Sequence, residues 1–169
     1  MKTLYVLRHA KSSWDNAGLA DFDRPLNGRG KIAAPFMGQV LEEYEFEPGI
    51  ILSSPAVRAR ETARLVKEAA ALDAEIKYNE RIYEASPQTL LQIAASLDDR
   101  FTSAMIVGHN PGMEGFVRVL TGRLESMPTA SLAVIDLDVM GWEQIGAGVG
   151  KLRRIIRPKD DMKRFKKGN

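Results

Sequence analysis

Four short apolar runs, at residues 3–7, 50–52, 104–107 and 132–137, alternate with stretches of helical periodicity. That alternation restricts the chain to an α/β architecture with a mostly parallel sheet covered on both faces. A shorter run at 75–78 adds a fifth strand. Ile32, Phe36, Val40 and Tyr44 recur every fourth residue beside Ala33, Met37 and Leu41, which predicts a helix with one broad apolar face. Pro35 lies within this pattern and should start or bend the helix. Residues 56–71, rich in Ala, Arg and Glu, predict a second helix. Ser86-Pro87-Gln88 reads as an N-cap followed by proline at the first helical position, opening a helix towards residue 97. Pro111 opens another that ends near Gly122. Runs at 142–145 and 152–156, separated by Gly146, Gly148 and Gly150, predict a late hairpin and hence some antiparallel edge.

A chain of 169 residues is long enough to bury one core, and the expected organisation is a single domain at 1–158 with a basic tail at 159–169. The net charge of +2 conceals an asymmetry: residues 151–169 carry nine Lys/Arg against Asp160 and Asp161. Such a tail can dock an acidic partner. With Phe165 its only aromatic after Pro158, a solvated, frayed terminus is the simpler expectation, and nucleic acid is not expected as a partner. The absence of cysteine removes disulfides, thiol nucleophiles and thiolate metal sites together. No apolar run approaches the roughly 18 residues of a membrane span, and the start MKTLYVLRH is too short for a secretory core. A cytoplasmic monomer is expected.

The chain has two histidines, and each directly follows a predicted strand: His9 after residues 3–7, and His109 after 104–107 and Gly108. Arg58 lies just past the second strand, after Ser53-Ser54-Pro55. Parallel strands end on one rim, where ligands of open α/β sheets bind, so three strand ends bring His, Arg and His to one place. Arg8 and Arg58 present planar forks suited to phosphate oxygens. Neighbouring cations favour a neutral His9 imidazole with a ring nitrogen free to attack phosphorus. A protonated His109 would oppose charge developing on the phosphoryl oxygens. Gly108 and Gly112, flanking Asn110-Pro111, allow the backbone to approach an anion closely, so Gly108 and Asn110 join the candidate phosphate-binding residues. No acidic or His cluster stands at ligand spacing, so no metal or other cofactor is expected. Taken singly, each of these residues is more often structural. Their ordered combination points to phosphoryl chemistry.

That combination resembles the histidine phosphatase superfamily, also called phosphoglycerate-mutase-like. Leu7-Arg8-His9-Ala10 resembles its Arg-His-Gly signature, with alanine in place of the glycine. The run from Ser54 to Ala63 resembles its Ser-x-x-x-Arg-Ala-x-x-Thr-Ala helix start, and Gly108-His109 its second histidine. Asp23-Arg24-Pro25-Leu26-Asn27-Gly28 resembles the segment before its first helix. The short length and Gly108-His109-Asn110-Pro111-Gly112 look most like the SixA-type phosphohistidine phosphatases. The resemblance implies a three-layer α/β/α sandwich, a phosphohistidine intermediate at His9, and a phosphate pocket of Arg8, Arg58 and His109. Ser12 is implied as a substrate contact. Arg81-Ile82-Tyr83-Glu84 resembles the segment that carries the acid in many members, making Glu84 a candidate proton donor if partly buried. The implied partner is a phosphorylated protein of histidine-phosphotransfer type or, alternatively, a small phosphorylated metabolite served by a phosphatase or mutase. A non-catalytic phosphoprotein-binding module is the rival from another class.

Overall fold

The computed structural model describes residues 1–168, and side chains as far as Arg164. Six strands form one sheet: β1 (Lys2–Arg8), β2 (Ile50–Ser53), β3 (Glu75–Tyr78), β4 (Ser103–Gly108), β5 (Leu132–Leu137) and β6 (Gly150–Ile156), in the order β3-β2-β4-β1-β5-β6. The first four in that order run parallel, whereas β5 and β6 are antiparallel to their neighbours. Five helices connect and cover them: α1 (Gly28–Glu43), α2 (Val57–Ala70), α3 (Pro87–Ala95), α4 (Gly112–Thr121) and α5 (Pro158–Gly168).

The period of two along the strands divides the core into halves. Tyr5 and Leu7 of β1 face a cluster with Met37 and Leu41 of α1 and Ala63 and Val66 of α2. Leu4 and Val6 face the opposite cluster, with Leu90 and Ile93 of α3 and Phe116 and Leu120 of α4. The result is the expected three-layer α/β/α sandwich. Each fully buried aliphatic or aromatic side chain contributes about 1.5–3 kcal/mol. Truncating Phe116, which has no exposed surface, to alanine would cost about 3–5 kcal/mol.

Three local expectations are corrected. In α1 the buried residues centre on Ala34, Met37 and Leu41, while Ile32 is 67% exposed. Close contact with α2 sets that orientation: a Cβ on Gly38 would meet the Ala69 Cβ at 2.6 Å. The helix also begins well before Pro35, at Gly28, where the Asn27 side chain accepts a hydrogen bond of 2.9 Å from the Gly30 N–H. Residues Trp142–Gln144 form a 3-10 turn rather than a strand, and β6 pairs with β5 instead. Trp142 is apolar enough to read as strand but serves as a plug: its backbone N–H donates to Asp99 at 2.8 Å and its indole to the Phe101 carbonyl at 2.9 Å.

The segment 11–27 is irregular, as its composition predicts, yet well anchored. Ser12 pairs with Leu26 in an antiparallel bridge, and Asp21–Asp23 make a 3-10 turn. At the other end, residues expected to fray instead form α5. The side chains of Phe165, Lys166 and Lys167 lie outside the described residues. No helix among the described residues is long and apolar enough to cross a membrane.

Candidate active site

The register of β1 on β4 pairs Arg8 with Gly108, and that of β2 on β4 pairs Ser53 with Val107. Three parallel strands therefore end level with one another, and the residues that follow meet at one rim. The His9 backbone N–H donates to the Gly108 carbonyl at 3.0 Å, and the His9 carbonyl accepts from Ala130 at 3.0 Å. Thr62 of α2 ties the turn down: its hydroxyl accepts from the Ala10 N–H at 2.9 Å and donates to the Arg58 carbonyl at 2.7 Å. This bond gives the threonine of the Arg58–Thr62 pattern its physical reason.

His9 and His109 lie with ring centroids 5.1 Å apart, and both are buried. His9 Nδ1 is 2.7 Å from the Ala10 carbonyl oxygen. A carbonyl only accepts, so Nδ1 carries the proton and Nε2 keeps its lone pair. Burial, reinforced by His109, Arg58 and Arg8 against the opposing pull of the Ala10 carbonyl, lowers the His9 pKa to about 3. At neutral pH the ring is thus an uncharged base with one nitrogen available.

His109 Nε2 is 2.8 Å from the Ser54 hydroxyl, whereas its Nδ1 is buried without a partner. Burial, then Arg58, lowers its pKa to about 4. The cationic His109 considered from sequence is therefore neutral in this environment, and the positive charge comes from the arginines. Arg8 donates to the Met127 carbonyl at 3.0 Å and leaves Nε buried and unpaired. Buried orphan donors are rare and call for an explanation such as a ligand. Arg8 and His109 both line one pocket of about 350 Å³, together with His9, Lys11, Ser12, Asp21, Arg58 and Asn110 among others.

Arg58 reaches this pocket from α2 and is held by a residue that the sequence did not single out. Its Nη1 donates to the Asp21 carbonyl at 2.7 Å and its Nη2 to the Asp21 carboxylate at 2.9 Å. The same carboxylate accepts from Arg24 at 2.9 Å and from the Tyr83 hydroxyl at 2.7 Å. The Tyr83 hydrogen bond, followed by Arg58 and Arg24, holds Asp21 at about 2, ionised at any working pH. Tyr83 itself is pushed up to about 12, by partial burial and by Asp21. Its ring packs edge-on against His109 and Phe22, at centroid distances of 5.4 and 5.2 Å. The only sequence signal for Asp21 is its spacing of three residues from Arg24 inside a long polar loop.

The remaining candidates fare differently. Ser12 is buried at the pocket and receives a hydrogen bond from Arg24. Asn110 lines the pocket, but its amide donates to Glu114 of α4 and to the Met127 carbonyl beyond it, both at 3.0 Å, so both its hydrogens are committed within the protein. Gly108 is crowded by protein side chains rather than left open to an anion: a Cβ there would meet Met113 Cε at 2.3 Å and Ile82 Cγ2 at 3.1 Å. Gly112 is similar, with the Ala85 carbonyl 2.2 Å from such a Cβ. Glu84 is exposed, not partly buried, and lines an adjoining cleft with Asp21, Arg58 and His109. Among the described residues, no group of three or more His, Cys, Asp or Glu side chains is placed to hold a metal ion.

Comparison with known proteins gives one consistent result. Residues 4–102 match the family model of the histidine phosphatase superfamily, branch 1. An uncharacterized protein of Mycobacterium tuberculosis is 34% identical over 158 residues, covering 86% of this chain and 96% of its own. An Agrobacterium tumefaciens crystal structure, of a protein proposed to be the phosphohistidine phosphatase SixA, matches with a TM-score of 0.81 at 31% identity. That match covers 93% of this chain and 98% of the other. The protein histidine phosphatase SixA complexed with tungstate shares the fold, with a TM-score of 0.81 at 22% identity over 94% of this chain and 98% of the other.

Proposed function

The chain belongs to the histidine phosphatase superfamily, and from that premise we propose that it is a metal-independent phosphatase acting through a phosphohistidine at His9, with protein phosphohistidine as its substrate. The observation that carries this reading is the state of His9: neutral, with Nδ1–H fixed on the Ala10 carbonyl and Nε2 left free beside two guanidinium groups. In the first step the Nε2 lone pair forms an N–P bond as the substrate's own P–N bond breaks, and the substrate ring, protonated from solvent on its other nitrogen, departs as neutral imidazole. In the second, water attacks phosphorus, the bond to His9 breaks, and inorganic phosphate leaves as the water's proton is lost to solvent. Arg8 and Arg58 hold the phosphoryl oxygens through both steps. His109, neutral beforehand, gains a proton more readily once a phosphoryl dianion occupies the pocket it lines. Ser12 bounds the pocket through Arg24. The catalytic unit is residues 1–158, acting as a monomer in the cytoplasm, and 159–169 is an appendage to it.

The carboxylates near the site support a phosphoramidate over a phosphoester. Asp21 is held ionised at about 2, so it cannot protonate a leaving alkoxide, but it favours the cationic, ring-protonated form of a phosphohistidine, which departs as neutral imidazole. Glu84 is the donor an ester would need. A panel of phosphohistidine peptide, phosphoaspartate and small phosphomonoesters, assayed with a chelator present, tests the proposal. Phosphohistidine should give the highest kcat/KM, and Glu84→Gln should spare it. A strict metal requirement or a large preference for a small ester would overturn the assignment.

A further inference from the structure

Beside the phosphate pocket lies a groove of about 610 Å³ between the first turn of α1 and the start of α5. It shares Lys11 and Thr129 with the pocket, so the two adjoin. Its walls combine apolar surface, including Met162 and the 67% exposed Ile32, with a rim of Lys11, Arg29 and Lys159 against the single acid Asp160. None of those three cations has a carboxylate within ion-pair distance among the described residues. The adjoining cleft, which shares Asp21, Arg58 and His109 with the pocket, carries Glu84 and lacks lysine altogether. The phosphate pocket thus sits between a cationic, apolar groove and a cleft bearing carboxylates.

We propose that the groove between α1 and α5 docks an acidic, partly apolar segment of the phosphorylated protein substrate, next to its phosphorylated residue. This deepens the phosphatase reading and rests on it. Apolar area in the groove supplies affinity, and the cationic rim selects acidic over neutral flanks and speeds encounter. A bare polyanion such as an oligonucleotide satisfies the rim but leaves Ile32 and Met162 uncovered. Free phosphohistidine reaches the pocket without touching the groove.

The double variant Arg29→Glu, Lys159→Glu separates these possibilities. Both side chains are exposed, and both lie in first turns of helices, where a carboxylate is favourable, so the fold is retained. Substrates are a phosphohistidine peptide with Asp, Glu and Leu flanks, the same peptide with Gln for the acids, and free phosphohistidine. Binding of the unphosphorylated acidic peptide is read from Trp14, which is 75% exposed on the pocket, whereas Trp142 is fully buried. The double variant should raise KM and Kd for the acidic peptide about tenfold at low salt, less at high salt. Its kcat/KM on free phosphohistidine should stay within about twofold, because exposed charges outside the pocket are screened. Equal Kd for acidic and Gln-flanked peptides on the wild type, or tighter binding of an oligonucleotide than of the acidic peptide, would overturn the docking proposal. If the wild type hydrolyses no phosphohistidine, the phosphatase reading fails, and the peptide Kd values still decide the groove.

Discussion

The floor and the rim of the pocket are built by opposite means. The floor consists of Arg8, His9 and His109, set at the ends of two adjacent parallel strands in register, with both histidines buried and Arg8 half-buried. The rim consists of Asp21, Arg24, Arg58 and Tyr83, drawn from a loop, a helix and a turn and joined by hydrogen bonds of one carboxylate. The floor leaves polar atoms unpaired, Arg8 Nε and His109 Nδ1, whereas the rim ties both terminal nitrogens of Arg58 to Asp21. The floor is thus left with polar atoms unsatisfied, whereas the rim groups are satisfied by one another.

The sharpest break in that comparison is expected at His9. His9→Ala should lower turnover by on the order of a thousandfold or more, since it removes the ring nitrogen proposed to attack phosphorus. Circular dichroism should show the fold unchanged. Residual activity within tenfold of wild type would remove the floor from the chemistry.

Acid should also act on the floor before the rim. The folded pKa values of His9 and His109, about 3 and about 4, lie below the 6.5 of an unperturbed histidine. The unfolded chain therefore binds more protons below pH 6.5, and the stability that favours the neutral rings is full above it and declines as pH falls towards 4. The loss is roughly 1.4 kcal/mol per pH unit for each such ring. Asp21, lowered from 3.8 to about 2, contributes stability above 3.8 that is lost only as pH falls through 2. Thermal melts from pH 7 to 4 should show Tm falling, with a shallower slope in His109→Asn. A flat Tm across that range would contradict the burial-driven shifts.

At the rim the effect is smaller and opposite in sign. Asp21→Asn removes a negative charge and weakens the hold on Arg58 Nη2, so inorganic phosphate should inhibit about fivefold more tightly, one charge-assisted contact being worth about 1 kcal/mol. Weaker inhibition would mean that Asp21 is needed to hold Arg58 in position.

The same contrast explains what could be read in the sequence. Arg8, His9 and His109 were legible because each abuts an apolar run, and an α/β sheet puts such junctions on one edge. The strands themselves were legible from their apolar runs, but the 3-10 turn at Trp142–Gln144 was not, because an apolar plug and an apolar strand look alike over four residues. Asp21 was hidden because a polar loop has no periodicity to say which carboxylate turns inward. Gly108 and Gly112 read as close approaches from sequence, but what approaches is the Met113 side chain and the Ala85 carbonyl, which local pattern does not point to. The exposure of Ile32 and of Glu84 depends on how α2 and the α3 approach pack, which no local pattern encodes.

Covalent capture at His9 is the centre of this account, and rapid acid-free quenching during turnover of a phosphohistidine peptide, followed by mass mapping of the chain, tests it most directly. One phosphoryl group on His9, stable to alkali and lost in acid, is the predicted result. Turnover with no adduct, or an adduct on His109 instead, would contradict it.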